Sequence, residues 1–527
     1  MINQVSYIKV GKKKDNKRLW LEGKRMALCG FERGAKYHTV FDVQKRSLTL
    51  ELDENGDRQV SGRKRGDKEL PIVELCSSSV TQYIEDVLGD APRVRVAFEA
   101  QKLTITVHPH DLLQSEREKR LTDNLLQGII DEATLCAGGG ISSYALNEGL
   151  NEAGIKAHSE FIVDIEGKYL QSAIDNNPHI DEDTRIFEAA LEEVETELLG
   201  PVDVLNVSLP CTGFSNSGKA KNKIKHGESH EAAGTAVFGL MQILPAVNPS
   251  VVISENVPQF EDSATYALIR GTLDKLGYEV HDTVLGREMG AFEDRNRHIM
   301  VAVSKGIADK FDLSTIQPSD TPPKKLGDLL DELPKSSELW RTYDYLKSKE
   351  ERDKAAGKGF SRQLVNKESE RIGTIGRGYN KARSTEPFVQ HPTDPDKSRL
   401  LTVEEHARVK GIPENAVAGQ SKTIAHEILG QSVLFPVFKS IGRHIGSFLN
   451  EHVAQIKQAD HVEIETITDE LKQLCFTFEQ IERLQEEQPE SIDDCQDIIE
   501  QAQEKYQDIT GQIARLPEIE SGQAMRM

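Results

Sequence analysis

Between Ala133 and Val303 short apolar runs alternate with helical patterns, and no other feature of the chain restricts its fold as much. The apolar runs are Ala133–Ala137, Glu160–Asp164, Asp203–Leu209, Val251–Glu255 and His298–Val303. Between them lie Ile141–Ala153, Gly167–Asn176, Phe187–Leu199, Glu231–Leu244 and Ala264–Leu276, which read as helices. This alternation predicts an α/β fold: a doubly wound, mostly parallel sheet with helices on its faces. Ligands of such sheets bind at the carboxyl ends of the strands. Chemistry is therefore expected in the residues that follow each run.

Those residues are distinctive. The first run opens into Leu135-Cys136-Ala137-Gly138-Gly139-Gly140, where glycines allow close backbone approach and a helix N-terminus offers free N–H groups. The second run ends at Asp164, a position from which a carboxylate can bind a ribose hydroxyl pair. The third leads into Pro210-Cys211-Thr212-Gly213-Phe214-Ser215 and the fourth into Glu255-Asn256-Val257-Pro258. The last run is preceded by Glu293-Asp294-Arg295-Asn296-Arg297, whose two arginines share a face at i and i+2. Taken singly, each has a plain alternative: a tight turn for the glycines, a solvated loop for Asp164, inert burial for Cys211.

In this order the segments resemble the cytosine-5 DNA methyltransferase family. Further matches are Leu400-Leu401-Thr402-Val403-Glu404-Glu405, Arg408 with Gly411-Ile412-Pro413, and Gly430-Gln431-Ser432-Val433, so the resemblance spans residues 133–445. It implies a Rossmann-like class I methyltransferase sheet, S-adenosylmethionine as methyl donor, double-stranded DNA as partner and a flipped-out target cytosine. Carried over residue by residue, Cys211 adds to cytosine C6 and Glu255 serves N3. Arg295 holds O2, and Arg297 supports the arrangement from behind. The same likeness assigns Leu135, Ala137, Gly139, Gly140, Asp164, Pro210, Ser432 and Val433 to the methyl donor and implies no metal. Three positions depart from the family pattern: Ala137 for a glycine, Glu293 for a glutamine and Gln431 for an asparagine. The acid that would bind adenine is not matched; Asp183 is a candidate, though an exposed turn explains it better.

The rest of the chain divides by composition. Residues 1–125 read as a β-rich accessory domain, with strands around Arg18–Leu21, Leu48–Leu52 and Val94–Phe98, followed by a charged helix over Leu112–Asp131. Their pattern faintly resembles the swapped-hairpin DNA-binding domains of antitoxin-like proteins. Residues 126–303 form the catalytic domain, 304–398 a target-recognition region, 399–450 the C-terminal part of the catalytic domain, and 451–527 an acidic helical extension. A net charge of −21 opposes phosphate binding, but it is unevenly placed. Residues 1–66 carry about +8, 341–390 about +5 and 451–527 about −13.

DNA contacts are accordingly expected from Ser215, Lys219 and Lys221 in a basic lid after Cys211, and from Arg371, Arg377, Lys381 and Arg383 in the recognition region. The acidic helices are where a cognate restriction endonuclease or another protein would dock. Two rival readings stand. One is an RNA cytosine-5 methyltransferase on the same scaffold, which Cys475-Phe476-Thr477 suggests, although helical spacing reads that segment as packing. The other is a catalytically silent DNA-binding homologue. Six scattered cysteines with no CxxC pair, no signal layout and no apolar span predict a reduced protein of the cytoplasm, associated with the nucleoid. Restriction–modification, protection of a mobile element and epigenetic marking all remain open as roles, as do the bases read and the oligomeric state.

Overall fold

The computed structural model describes residues 2–211 and 231–487, except Asp15, Gln44, Asp67 and most of 77–91, together with Lys505, Tyr506 and Ile509. The chain divides into two compact units, residues 1–444 and 445–527.

The N-terminal part is built from antiparallel strands whose residues alternate between core and solvent. Leu103, Ile105 and Val107 point inward from the strand Lys102–Val107, while Lys102, Thr104 and Thr106 do not. That strand lies between Arg93–Glu99 and Ser47–Leu52 in a six-stranded sheet completed by Ile2–Lys9, Lys36–Asp42 and Arg58–Gln59. A second, four-stranded sheet comprises Gly11–Lys13, Asn16–Glu22, Lys68–Leu75 and Ser61–Arg65. One core, including Leu19, Phe31, Leu48, Leu50, Val94 and Val96, serves both sheets.

Helix α1 (Pro109–Gln127) joins this part to the next. Pro109 sits at its first turn, and Gly128, in the left-handed region at φ 79°, ends it before the charged run that sequence reading took on to Asp131. Its buried residues include a charge, Arg117. That guanidinium donates to Ser304 Oγ at 2.8 Å and to the carbonyls of Leu276 and Gly277, and stacks 3.9 Å over Tyr278. One turn on, Arg120 donates to Asp203 and to the carbonyls of Val202 and Asn248. Two arginines thus seat the helix on the amino-terminal end of the next sheet.

That sheet has seven strands: β1 (Ile129–Leu135), β2 (Lys156–Asp164), β3 (Arg185–Glu188), β4 (Val204–Val207), β5 (Val251–Asn256), β6 (Tyr278–Leu285) and β7 (Arg297–Ser304). Their spatial order is 3-2-1-4-5-7-6. All pairings are parallel except those of β7, which runs antiparallel to both β5 and β6. Central strands such as β4 are buried along their whole length, as expected of a sheet covered on both faces. The covering helices are α2 (Ile141–Glu152), α3 (Gly167–Asn176), α4 (Glu231–Val247) and α5 (Ala264–Lys275).

Two expectations are corrected and one strand is added. No helix covers Phe187–Leu199: Arg185–Glu188 pairs with β2 as an edge strand, and two short 3-10 turns follow. Open backbone on the β2 edge outweighed a helical spacing of apolar residues that works equally well in turns, where Leu191 and Leu199 still reach the core. Strand β6 was missed because an edge strand with mixed exposure lacks a continuous apolar run. The first strand begins at Ile129 and ends at Leu135, since Cys136 already has a left-handed φ of 55°.

Residues 304–398, which show little periodicity, nevertheless fold. Arg341–Thr342, Gln363–Val365, Pro387–Gln390 and Lys397–Arg399 form a small sheet beside helix α6 (Asp344–Ala355). Leu326, Ile372, Ile375, Tyr379 and Val389 share a core with Phe292, Leu401 and Val409. Helices α7 (Val403–Val409), α8 (Lys422–Gln431) and α9 (Phe435–Glu487) follow. Helix α9 runs unbroken past residue 450, where composition had placed a boundary. Cys475-Phe476-Thr477 falls on this helix, but its side chains lie outside the described residues. No helix among the described residues is long and apolar enough to cross a membrane.

The first turns of α9 cross α2 at backbone contact. A Cβ on Gly149 would lie 2.0 Å from the Lys439 carbonyl oxygen, and one on Gly442 would lie 2.1 Å from that of Leu146. Gly149→Ala must therefore push the helices apart and should cost about 1–3 kcal/mol. Urea denaturation tests this; an unchanged midpoint would refute the close crossing.

Candidate active site

Parallel pairing of β4 with β5, in register from Val204↔Val251 to Val207↔Ser254, brings Cys211 and Glu255 to the same end of the sheet. A buried amide fixes the two chain ends. Asn256, 1% exposed, donates from Nδ2 to the Leu209 carbonyl at 3.1 Å, while its Oδ1 accepts from Val257 N at 2.9 Å. Asn256 appeared in sequence only as part of a motif; its role depends on a contact across 47 residues.

Strand β7 supplies the cations from the other side of β5. Arg297 pairs through Nε with Glu255 Oε1 at 2.8 Å, both side chains being largely buried. Arg295 points its guanidinium elsewhere: Nη2 donates to the Gln431 carbonyl at 3.3 Å, and Nη1 lies 3.6 Å from Glu293 Oε1. The arginine in contact with Glu255 is therefore Arg297, to which sequence reading gave the supporting role. Both arginines act on Cys211. Burial raises its thiol above the ordinary value, Glu255 raises it further, and Arg297 and Arg295 pull it back in that order. Burial also lowers Arg297, against the pull of Glu255.

The glycine loop lies two strands away. Gly140 takes φ 73° as the N-cap of α2 and makes no side-chain capping bond, and a Cβ there would meet Ala173 at 2.9 Å. A Cβ on Gly139 would strike Ile428 of α8 at 2.5 Å. The loop thus passes between α3 and α8, leaving no room for side chains. Asp164 faces it, accepting from Gly138 N at 2.7 Å and Glu166 N at 2.9 Å; burial raises its carboxyl and these N–H groups lower it. Leu135 and Ala137 are buried at the base of this cradle. Ser432 caps the end of α8 and Val433 is buried beside it, with Gln431 Nε2 3.6 Å from the Cβ position of Gly138. Pro210 stands immediately before Cys211, on the far side of β1 from Asp164.

Ile165, directly after Asp164, is 68% exposed, an apolar side chain held at a strand end without a protein partner for most of its surface. In sequence one isoleucine after a strand carries no pattern, so nothing there marks it. Asp183 lies on an exposed turn, its N–H donating to Asp181.

The expected DNA contacts fare unevenly. Ser215, Lys219 and Lys221 lie outside the described residues. Arg371, Arg377, Lys381 and Arg383 are exposed on the recognition region. Two of them are already paired: Arg371 lies 3.3 Å from Asp294, and Arg377 lies 3.3 Å from Glu166 with its guanidinium over Tyr169.

A seven-stranded sheet of this order, with a cysteine, a glutamate and an arginine at adjoining strand ends and a glycine cradle beside them, defines a class of group-transfer enzyme. The C-5 cytosine-specific DNA methylase family model matches residues 133–447, and the chain belongs to that family. It is 30% identical over 257 residues to the type II methyltransferase M.NlaX of Neisseria lactamica, covering 47% of this chain and 77% of that one. It is also 30% identical to M1.ScrFI of Lactococcus lactis subsp. cremoris (45% and 61% covered) and 26% identical to a DNA-cytosine methyltransferase of Escherichia coli K12 (51% and 66%). Among solved structures, the Dnmt2 methyltransferase of S. pombe aligns at TM-score 0.48 and 17% identity, covering 61% of this chain and 99% of that one.

Alkylation of Cys211 in DNA-free protein should follow a titration whose midpoint lies above that of a free thiol. Arg297→Met, which removes a cation, should move it higher still. Iodoacetamide labelling followed by peptide mass spectrometry reads both, and a midpoint below the free-thiol value would contradict the burial argument.

Proposed function

We propose that the chain methylates cytosine at C5 in duplex DNA through a covalent adduct between Cys211 and C6. The observation that carries this reading is the Glu255–Arg297 pair at 2.8 Å, at the strand ends that flank Cys211. Cytosine C6 is a poor electrophile and must be activated from both sides of the ring. Cys211 attacks as the thiolate, and the raised thiol means that the proton leaves when the substrate is in place, not before. As the thiol loses a proton the ring gains one at N3, so Glu255 can serve both transfers without a net change of charge. Of the two arginines, Arg297 sits with Glu255, whereas Arg295 is taken up by Glu293 and Gln431. Arg297 is accordingly the contact for the developing charge at cytosine O2, and Arg295 fixes the strand that carries it. Once C5 has taken the methyl group, a base removes the C5 proton, Cys211 departs as the thiolate and the N3 proton returns to Glu255.

The cradle suits S-adenosylmethionine. Its glycines leave backbone N–H groups without intervening side chains, Asp164 offers a carboxylate to ribose hydroxyls, and the exposed Ile165 offers an apolar face to the purine. Bound there, the donor supplies the methyl group that C5 accepts. Leu135, Ala137, Gly139, Gly140, Asp164, Pro210, Ser432 and Val433 line or support this site. Neither C6 nor N3 can be reached in a stacked duplex, so the base is extruded. Ser215, Lys219, Lys221, Arg371, Arg377, Lys381 and Arg383 are proposed to hold the DNA around it.

Bisulfite sequencing of DNA from cells expressing the protein tests the reading and gives the recognition site. Cys211→Ser should lower methylation by at least about 10²-fold, with the protein still folded by circular dichroism. Normal methylation by that variant would refute the covalent mechanism.

A further inference from the structure

The departure of Glu293 from the family's usual glutamine has a physical counterpart elsewhere in this chain. Its carboxylate is fully buried, and so is the ammonium of Lys410, whose Nζ lies 2.8 Å from Glu293 Oε2. Isolated, each charge would cost several kcal/mol to remove from water; only mutual pairing makes both tolerable. A glutamine could match the hydrogen bonds of this position but could not balance Lys410.

The pair lies where four segments meet. Glu293 Oε1 accepts from Ile375 N of the recognition region at 3.1 Å and stands 3.6 Å from Arg295 Nη1. Lys410, at the end of α7, also donates to the Ser432 carbonyl of the closing motif at 3.4 Å. Backbone contacts run through the same point. Phe292 N and Glu293 N both donate to the Val409 carbonyl at 3.0 Å, and Asp294 N donates to the Ile372 carbonyl at 2.8 Å. Two residues beyond Glu293, Arg295 begins the approach to β7 and the Glu255–Arg297 pair.

We propose that Glu293 and Lys410 form a buried charge clamp that positions Arg295, and through it the catalytic end of β7, against the recognition segment 372–376. Glu293 and Lys410 are positioning residues in this scheme, since neither touches the substrate. Other charges face the clamp. Burial and Arg295 push Lys410 down while Glu293 holds it up, and the buried His406 and Glu386 also feel its charge. The clamp lets the recognition region report to the catalytic strand through one carboxylate that both segments share. This inference rests on the proposed methylation for its kinetic readout but not for its structural one.

The test is a double-mutant cycle of Glu293→Gln, Lys410→Met and the two combined. Each single variant leaves one buried charge unpaired and should lower kcat at least about tenfold, with KM for DNA changed by less than about threefold. The combined variant, with no charge left to balance, should recover kcat to within about threefold of the parent. Amide exchange at Ile375 should quicken in each single variant and slow again in the combined one. If the parent protein does not methylate DNA, the proposed function fails. The exchange and melting data still decide the clamp, and this arm also serves if a single variant is too unstable to assay. A combined variant no better than the worse single one would overturn the proposal, as would single variants that melt lower with kcat intact.

Discussion

The parallel register of β4 on β5 is the constraint on which the site depends. It sets two chain ends side by side, and Asn256 bonds one to the other, so that a cysteine and a carboxylate separated by 44 positions of sequence face the same space. Antiparallel β7 then enters beside β5 and delivers Arg297 to Glu255. A parallel strand in that place would carry its carboxyl end, not its start, to the site. The reversal of β7 puts residues 293–297 at the chemistry.

Around this centre charge is held in pairs of differing exposure. Arg297 with Glu255 is largely buried yet still open enough to meet a substrate. Glu293 with Lys410, and Arg399 with Glu405 at 2.5 and 2.8 Å, are buried outright. Such pairs add little net stability over apolar packing, but removing one partner is severe. They fix geometry more than they add stability. The exposed pairs Arg371–Asp294 and Arg377–Glu166 are of the other kind. Solvent screens them, so their arginines are readily exchanged to a phosphate.

Much of the catalytic fold was legible because both its signals are local. Apolar runs gave all five interior strands to within a few residues, and motifs at their ends marked Cys211, Glu255 and Asp164 as candidates. The edge strands β3 and β6 were not legible, since half-exposed strands lack the continuous apolar run. The recognition region was opaque for a related reason. Its core draws Ile372, Ile375, Tyr379 and Val389 from separate short segments, so no window of sequence shows a period.

The sequence by itself determined the class of sheet and the family, because these follow from residue order along a chain whose parallel strands end at one edge. Tertiary structure decided how the two arginines are paired. At i and i+2 they share a face, and only the neighbours on β5 and the closing motif draw Arg297 to Glu255 and Arg295 to Gln431. It also decided why Glu293 is a glutamate. Its partner, Lys410, lies 117 positions away, and the need to neutralise a charge removed from water appears only when the chain has closed around both.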